Sequence, residues 1–147
     1  MTFTNPDNDA LRALLQGAKH IAVVGFSPTP ARPSHNIARA LQRYGLHIIP
    51  VRPGLQSGLG EPAWPELAAV PGPIDIVNVF RASEHVPQVV EECLRLGLKA
   101  LWLQDGVIHE AAAARAVAAG MTVVMDRCIL RDYTRLCAQP KLERKPG

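Results

Sequence analysis

The chain has little of three things, and each shortage narrows what it can be. Its 147 residues include only two Trp, two Tyr and three Phe. No basic stripe interleaved with aromatics is present, so a stacking platform for single-stranded nucleic acid is not expected. The three cysteines, Cys93, Cys128 and Cys137, are odd in number and never fall in a CxxC pair. That argues against a zinc site or disulfide framework and for free thiols in a reducing compartment. No apolar run approaches the ~20 residues of a membrane-spanning helix, and no basic stretch near the start leads into an apolar run and a cleavage site. A cytoplasmic protein with no membrane partner is expected.

The net charge of +3 loses meaning once it is located. Residues 1–130 hold eleven Lys or Arg and eleven Asp or Glu. The excess lies in 131–147, where Arg131, Arg135, Lys141, Arg144 and Lys145 face only Asp132 and Glu143. Residues 1–130 are thus neutral, and the chain is expected to form a domain over 1–138 followed by a solvated basic tail over 139–147. No nucleic-acid partner is expected.

What is present is an alternation of short apolar runs with helical periodicity. Ile21-Ala22-Val23-Val24 is too short for a helix and β-rich enough for a buried parallel strand. Further strands are expected at 46–51, 74–80, 100–103 and 121–125. Helices are expected over about 8–16, 34–44, from a Ser83 cap to Gly97, over 109–119, and to about Cys137. Residues 1–6 are expected to be loose. The stretch 53–73 carries nine Pro or Gly and predicts a structured connection with one helical turn near 64–69. Pro50 is awkward inside the second strand because it cannot donate to a ladder. The whole predicts a single α/β domain, a Rossmann-like doubly wound parallel five-stranded sheet flanked by helices. Its strand order is expected to be of the 2-1-3-4-5 type, renumbered as 3-2-1-4-5.

Ligands of such sheets bind outside the carboxyl ends of the strands. Those ends carry Gly25-Phe26-Ser27, Arg52-Pro53, Phe80-Arg81, Gln104-Asp105-Gly106 and Asp126-Arg127-Cys128. Turn formation explains the glycines, prolines and aspartates. It does not explain arginines at three of the five ends, which suit a ligand with more than one phosphate. The first loop lacks the GxGxxG dinucleotide fingerprint, and Arg52 stands where an acid would hold a ribose diol. Arginine there favours a ribose phosphate, as in NADP or coenzyme A, over NAD. The absence of GxxxxGK[ST] argues against an ATP P-loop.

The segments GFSPTPARPSHNIARAL, IIPVRP, VNVFR, LWLQDGV and VVMDRC together resemble the small stand-alone CoA-binding domain proteins of prokaryotes. These are similar to the nucleotide-binding domain at the start of the succinyl-CoA synthetase α-subunit. The resemblance covers about 15–130 and implies coenzyme A, free or acylated, held across the strand ends. It places Gly25, Phe26 and Ser27 against the ligand, Arg32 on a phosphate, and Pro33, Ser34 and His35 under the pyrophosphate. Val51, Arg52 and Pro53 would border the adenosine, Phe80 and Arg81 the middle, and Gln104 to Gly106 the pantetheine. Relatives commonly carry Asn at the position of Arg52, so its phosphate role rests on charge. The synthetase's second domain, with its phosphorylated histidine, is outside the resemblance, and the ligase reaction is not carried over.

No catalytic or metal-binding set emerges. His35 has no nucleophile beside it and reads as a helix-start residue near phosphate. Cys128 reads as buried and inert rather than as a thiol activated by Arg127. Asp126 and Arg127 read as a structural pair or loop anchor, Trp102 as core or cleft wall, and His85 and His109 as solvated helix starts. The expected function is a CoA-binding protein or carrier without catalysis of its own, with a homo-oligomer or partner enzyme as its possible company. The alternative is a small NADP-dependent oxidoreductase, which lacks a substrate domain and a Tyr/Lys or Ser proton donor.

Overall fold

Five short strands meet side by side, all parallel, in a computed structural model that describes residues 3–138. The central ones are buried on both faces, which is why they read as continuous apolar runs rather than alternating ones. β1 (His20–Val24) pairs with β2 (His47–Val51) on one side and β5 (Ile76–Val79) on the other. β6 (Ala100–Leu103) and β7 (Thr122–Val124) extend the sheet. Between β2 and β5 lie β3 (Ser57–Gly58) and β4 (Glu61–Pro62), an antiparallel hairpin outside the main sheet.

The order β2-β1-β5-β6-β7 is 2-1-3-4-5 when only the five sheet strands are counted. The 3-2-1-4-5 renumbering does not hold, because the third sheet strand joins β1 on the side away from β2. β2 is therefore an edge strand, and that resolves Pro50. Its missing N–H points to the outer side, where its carbonyl accepts from Trp64 N at 3.0 Å.

Helices cover both faces. α1 (Asn8–Gly17), α2 (Pro33–Arg43) and α5 (Ile129–Tyr133) pack with Ile21, Val23, Phe26 and Trp102 on one face. α3 (Val86–Leu96) and α4 (Glu110–Ala118) pack with Ala22, Val77, Leu101 and Val123 on the other. Sheet and helices together form the expected doubly wound α/β domain.

Several local expectations need correction. Residues 3–6 are tied down rather than loose: Phe3 packs on the core, and Asn5 exchanges two hydrogen bonds with the Met125 backbone, at 3.0 and 2.8 Å. Ser83 starts a 3-10 turn (Ser83–His85) ahead of α3, and its hydroxyl accepts from Ile108 N instead of capping. His109 caps α4, its Nδ1 accepting from Ala112 N at 3.1 Å. The expected helical turn near 64–69 is present as a 3-10 turn, Leu67–Ala69, while the β3–β4 hairpin before it is an element the sequence pattern does not predict. The expected basic tail over 139–147 lies outside the described residues.

Candidate functional site: a cleft at three strand ends

The chain leaves β1 through Gly25, whose φ of +86° disfavours any residue with a Cβ. Such an atom would also sit 3.0 Å from the Phe80 carbonyl, because this turn crosses directly over the end of β5. Gly25 N donates back to Val51 O at 3.1 Å, so one residue ties together the ends of β2, β1 and β5. Ser27 follows, its N–H donating to the buried Ser34 Oγ at 2.9 Å. That bond fastens the loop to the first turn of α2. Pro33 opens this helix with its fixed φ and no donor to waste, and Arg32 at the cap position makes no side-chain cap. The positive end of the α2 dipole thus meets the loop.

Above these ends opens a cleft of about 1040 Å³, ample for a nucleotide-sized ligand. Ten of the fourteen expected site residues line it: Gly25, Ser27, Arg32, Pro33, Ser34, Val51, Arg52, Pro53, Phe80 and Arg81. Arg32, Arg52 and Arg81 are exposed, and among the described residues none forms an ion pair. Arg52 Nη1 reaches the Phe26 carbonyl at 3.4 Å, leaving most of its donors free. Elsewhere Arg12, Arg115, Arg127, Arg131 and Arg135 are matched to carboxylates, while Arg39, Arg43 and Arg95 form no ion pair among the described residues and lie outside the cleft.

Phe26, His35, Gln104 and Gly106 are not in the lining. The Phe26 ring is fully buried beneath the β3–β4 hairpin and lies against His35, with ring centroids 5.5 Å apart. Gln104 is turned inward, its Oε1 accepting from Asn78 Nδ2 at 3.2 Å and Ile129 N at 3.3 Å. Gly106 N donates to Asp126 Oδ1 at 2.8 Å. Asp126 is thus a loop anchor, one of the two roles expected of it, and does not pair with Arg127. Arg127 instead grips the buried Asp132 through two 2.7 Å bonds, and Arg135 adds a third at 2.9 Å. Burial pushes the Asp132 carboxyl up, but the hydrogen bonds from Arg127 and Arg135 outweigh it and hold the group below its ordinary value. Trp102 is core, with Nε1 donating to Arg127 O at 2.9 Å. Burial, aided by Glu92, pushes the Cys93 thiol up to about 12 and leaves it inert. Cys128 is also buried.

The sequence reading missed the opposite wall. Pro65, Glu66 and Leu67 come from the connection, His85 from the cap of α3, and Gln88 and Glu92 from one side of α3. The spacing of the last three, 85, 88 and 92, marks one helical face, a signal that was available. His85 is half-buried in this wall rather than solvated. Among the described residues no group of three or more His, Cys, Asp or Glu is placed to hold a metal ion.

A parallel sheet with helices on both faces, a glycine turn after its first strand and an arginine-lined cleft at the strand ends define a Rossmann-like α/β domain. The chain belongs to the CoA-binding domain family, whose model matches residues 19–134. It is 45% identical over 125 residues to the uncharacterized protein YneT of Bacillus subtilis (strain 168), covering 85% of this chain and 93% of that one. It is 32% identical over 99 residues to the ADP-forming acetate–CoA ligase II of Archaeoglobus fulgidus, covering 66% of this chain but 14% of the ligase. Among solved structures, a Thermus thermophilus protein superposes with a TM-score of 0.85 at 36% identity, over 89% of this chain and 99% of that one. The ligase relative is thus matched in one small part of a much longer enzyme.

Proposed function

We propose that this protein binds coenzyme A, free or acylated, in the cleft at the ends of β1, β2 and β5, and acts as a binding protein or carrier without catalysis of its own. The observation that carries this is the convergence of Arg32, Arg52 and Arg81, none ion-paired among the described residues, on one cleft that also receives the N-terminus of α2. Three guanidiniums without ion-pair partners among the described residues suit the three phosphates of coenzyme A, two in its pyrophosphate and one on its ribose. Membership of the CoA-binding domain family supports the same ligand.

Arg32 and Arg81 with the α2 N-terminus hold the pyrophosphate, and Arg52 with Val51 and Pro53 borders the adenosine. Phe26 and His35 support the loop from beneath. The lining offers no nucleophile paired with a base, which favours binding over chemistry. The match to one segment of an acetate–CoA ligase favours action beside a separate catalytic chain.

Titration calorimetry with CoA, acetyl-CoA, NADP and NAD tests this. Heat with CoA or its thioester and none with NAD is the expected result. Binding of NADP without CoA would replace the proposal with the oxidoreductase reading.

A further inference from the structure

We infer that Gly58, which lies outside the cleft, is a positioning residue for the ligand-binding loop, acting through Phe26. This rests on the CoA-binding reading as far as ligand affinity is concerned. Gly58 does not adopt a left-handed backbone, so it is there for space. A Cβ on it would lie 2.5 Å from Phe26 Cε2 and 2.9 Å from Cζ. The hairpin backbone therefore presses directly on the ring.

The hairpin is held from two sides. Gln42 of α2 donates Nε2 to Leu59 O at 2.9 Å, and Glu61, paired with Gly58 across the hairpin, lies 3.5 Å from His47 Nε2 of β2. On its other side the ring packs on His35 in the first turn of α2. Phe26 is thus clamped between the hairpin and the helix whose N-terminus faces the cleft.

Two cleft contacts hang on its backbone. Its carbonyl accepts from Arg52 Nη1, and the next N–H, of Ser27, donates to Ser34 Oγ. A shift of the ring moves both. The hairpin pre-organises the loop and the Arg52 guanidinium before any ligand arrives, which spares that ordering cost on binding.

The test combines Gly58→Ala with Phe26→Leu, whose shorter side chain makes room for the new methyl. Two readouts serve: calorimetric affinity for CoA, and hydrogen exchange of the Ser27 amide in the ligand-free protein. Gly58→Ala is expected to weaken CoA roughly tenfold and to speed Ser27 exchange. The double variant is expected to recover most of both. A folded Gly58→Ala with unchanged affinity and exchange overturns the inference, as does a folded double variant that recovers neither. Should Gly58→Ala not fold, the double variant decides alone. If the wild-type protein takes no CoA, the functional reading fails, while Ser27 exchange still judges the positioning role.

Discussion

The carboxyl edge of the sheet divides into two halves that treat their polar residues in opposite ways. Over β1, β2 and β5 the arginines stand around an open cleft with no ion-pair partner among the described residues. Over β6 and β7 the same kinds of residue satisfy one another. Gly106 meets Asp126, Ile108 N meets Ser83, Asp105 meets Arg131, and Asp132 holds Arg127 and Arg135. A polar group without a protein partner at a strand end has donors available to a ligand, while one already matched contributes to the fold. Position at a strand end marks where a ligand can bind. Partnering separates the ends that line the open cleft from those that are closed by the fold.

Mutation can break or sharpen this division. In the closed half, Asp132→Ala removes a fully buried carboxylate and strands two guanidiniums. A loss of about 3 kcal/mol in urea unfolding is expected, with CoA affinity little changed in the protein that remains folded. A large loss of affinity with intact stability would erase the distinction between the halves. The pH dependence follows from the same residue. A carboxyl held below its unfolded value stabilises above that value, and the stabilisation disappears as pH falls through the lower, folded one. Acid titration of wild-type stability should therefore fall away more steeply than that of Asp132→Ala.

In the open half, Gly25→Ala forces a side chain into a left-handed turn and against the Phe80 carbonyl. A cost of roughly 2 kcal/mol in thermal or urea unfolding is expected, together with weaker CoA binding, because this turn belongs to both the fold and the proposed site. Arg81→Ala is the smallest expected effect on stability and the cleanest on function. About a tenfold loss of CoA affinity is expected, with the melting temperature nearly unchanged. Unaltered affinity would remove Arg81 from the proposed pyrophosphate contact.

The strands, most helices and the fold class were legible because apolar runs and helical periodicity are local signals. The cleft was legible in outline for a related reason: topology sends every strand end to one edge, so Gly25, Arg52 and Arg81 were bound to be neighbours. The inward turn of Gln104 was not legible, since it depends on Asn78 and on the start of α5, both more than twenty residues away. The wall formed by Glu66, His85 and Glu92 was missed because it requires the connection after β4 to fold back across α3, where Glu92 accepts from Ala68 N at 3.3 Å.

By itself, then, the sequence determined the alternation of strands and helices, the glycine turn after β1 and the concentration of arginine at the strand ends. These follow from spacing and side-chain chemistry along a few consecutive residues. Only the tertiary structure decided which strand-end arginines lack an ion-pair partner among the described residues, that Arg127 belongs to Asp132, and that a hairpin glycine makes room for Phe26. Each of those depends on distances between residues far apart in the chain, and such distances exist only after the sheet and its helices have packed.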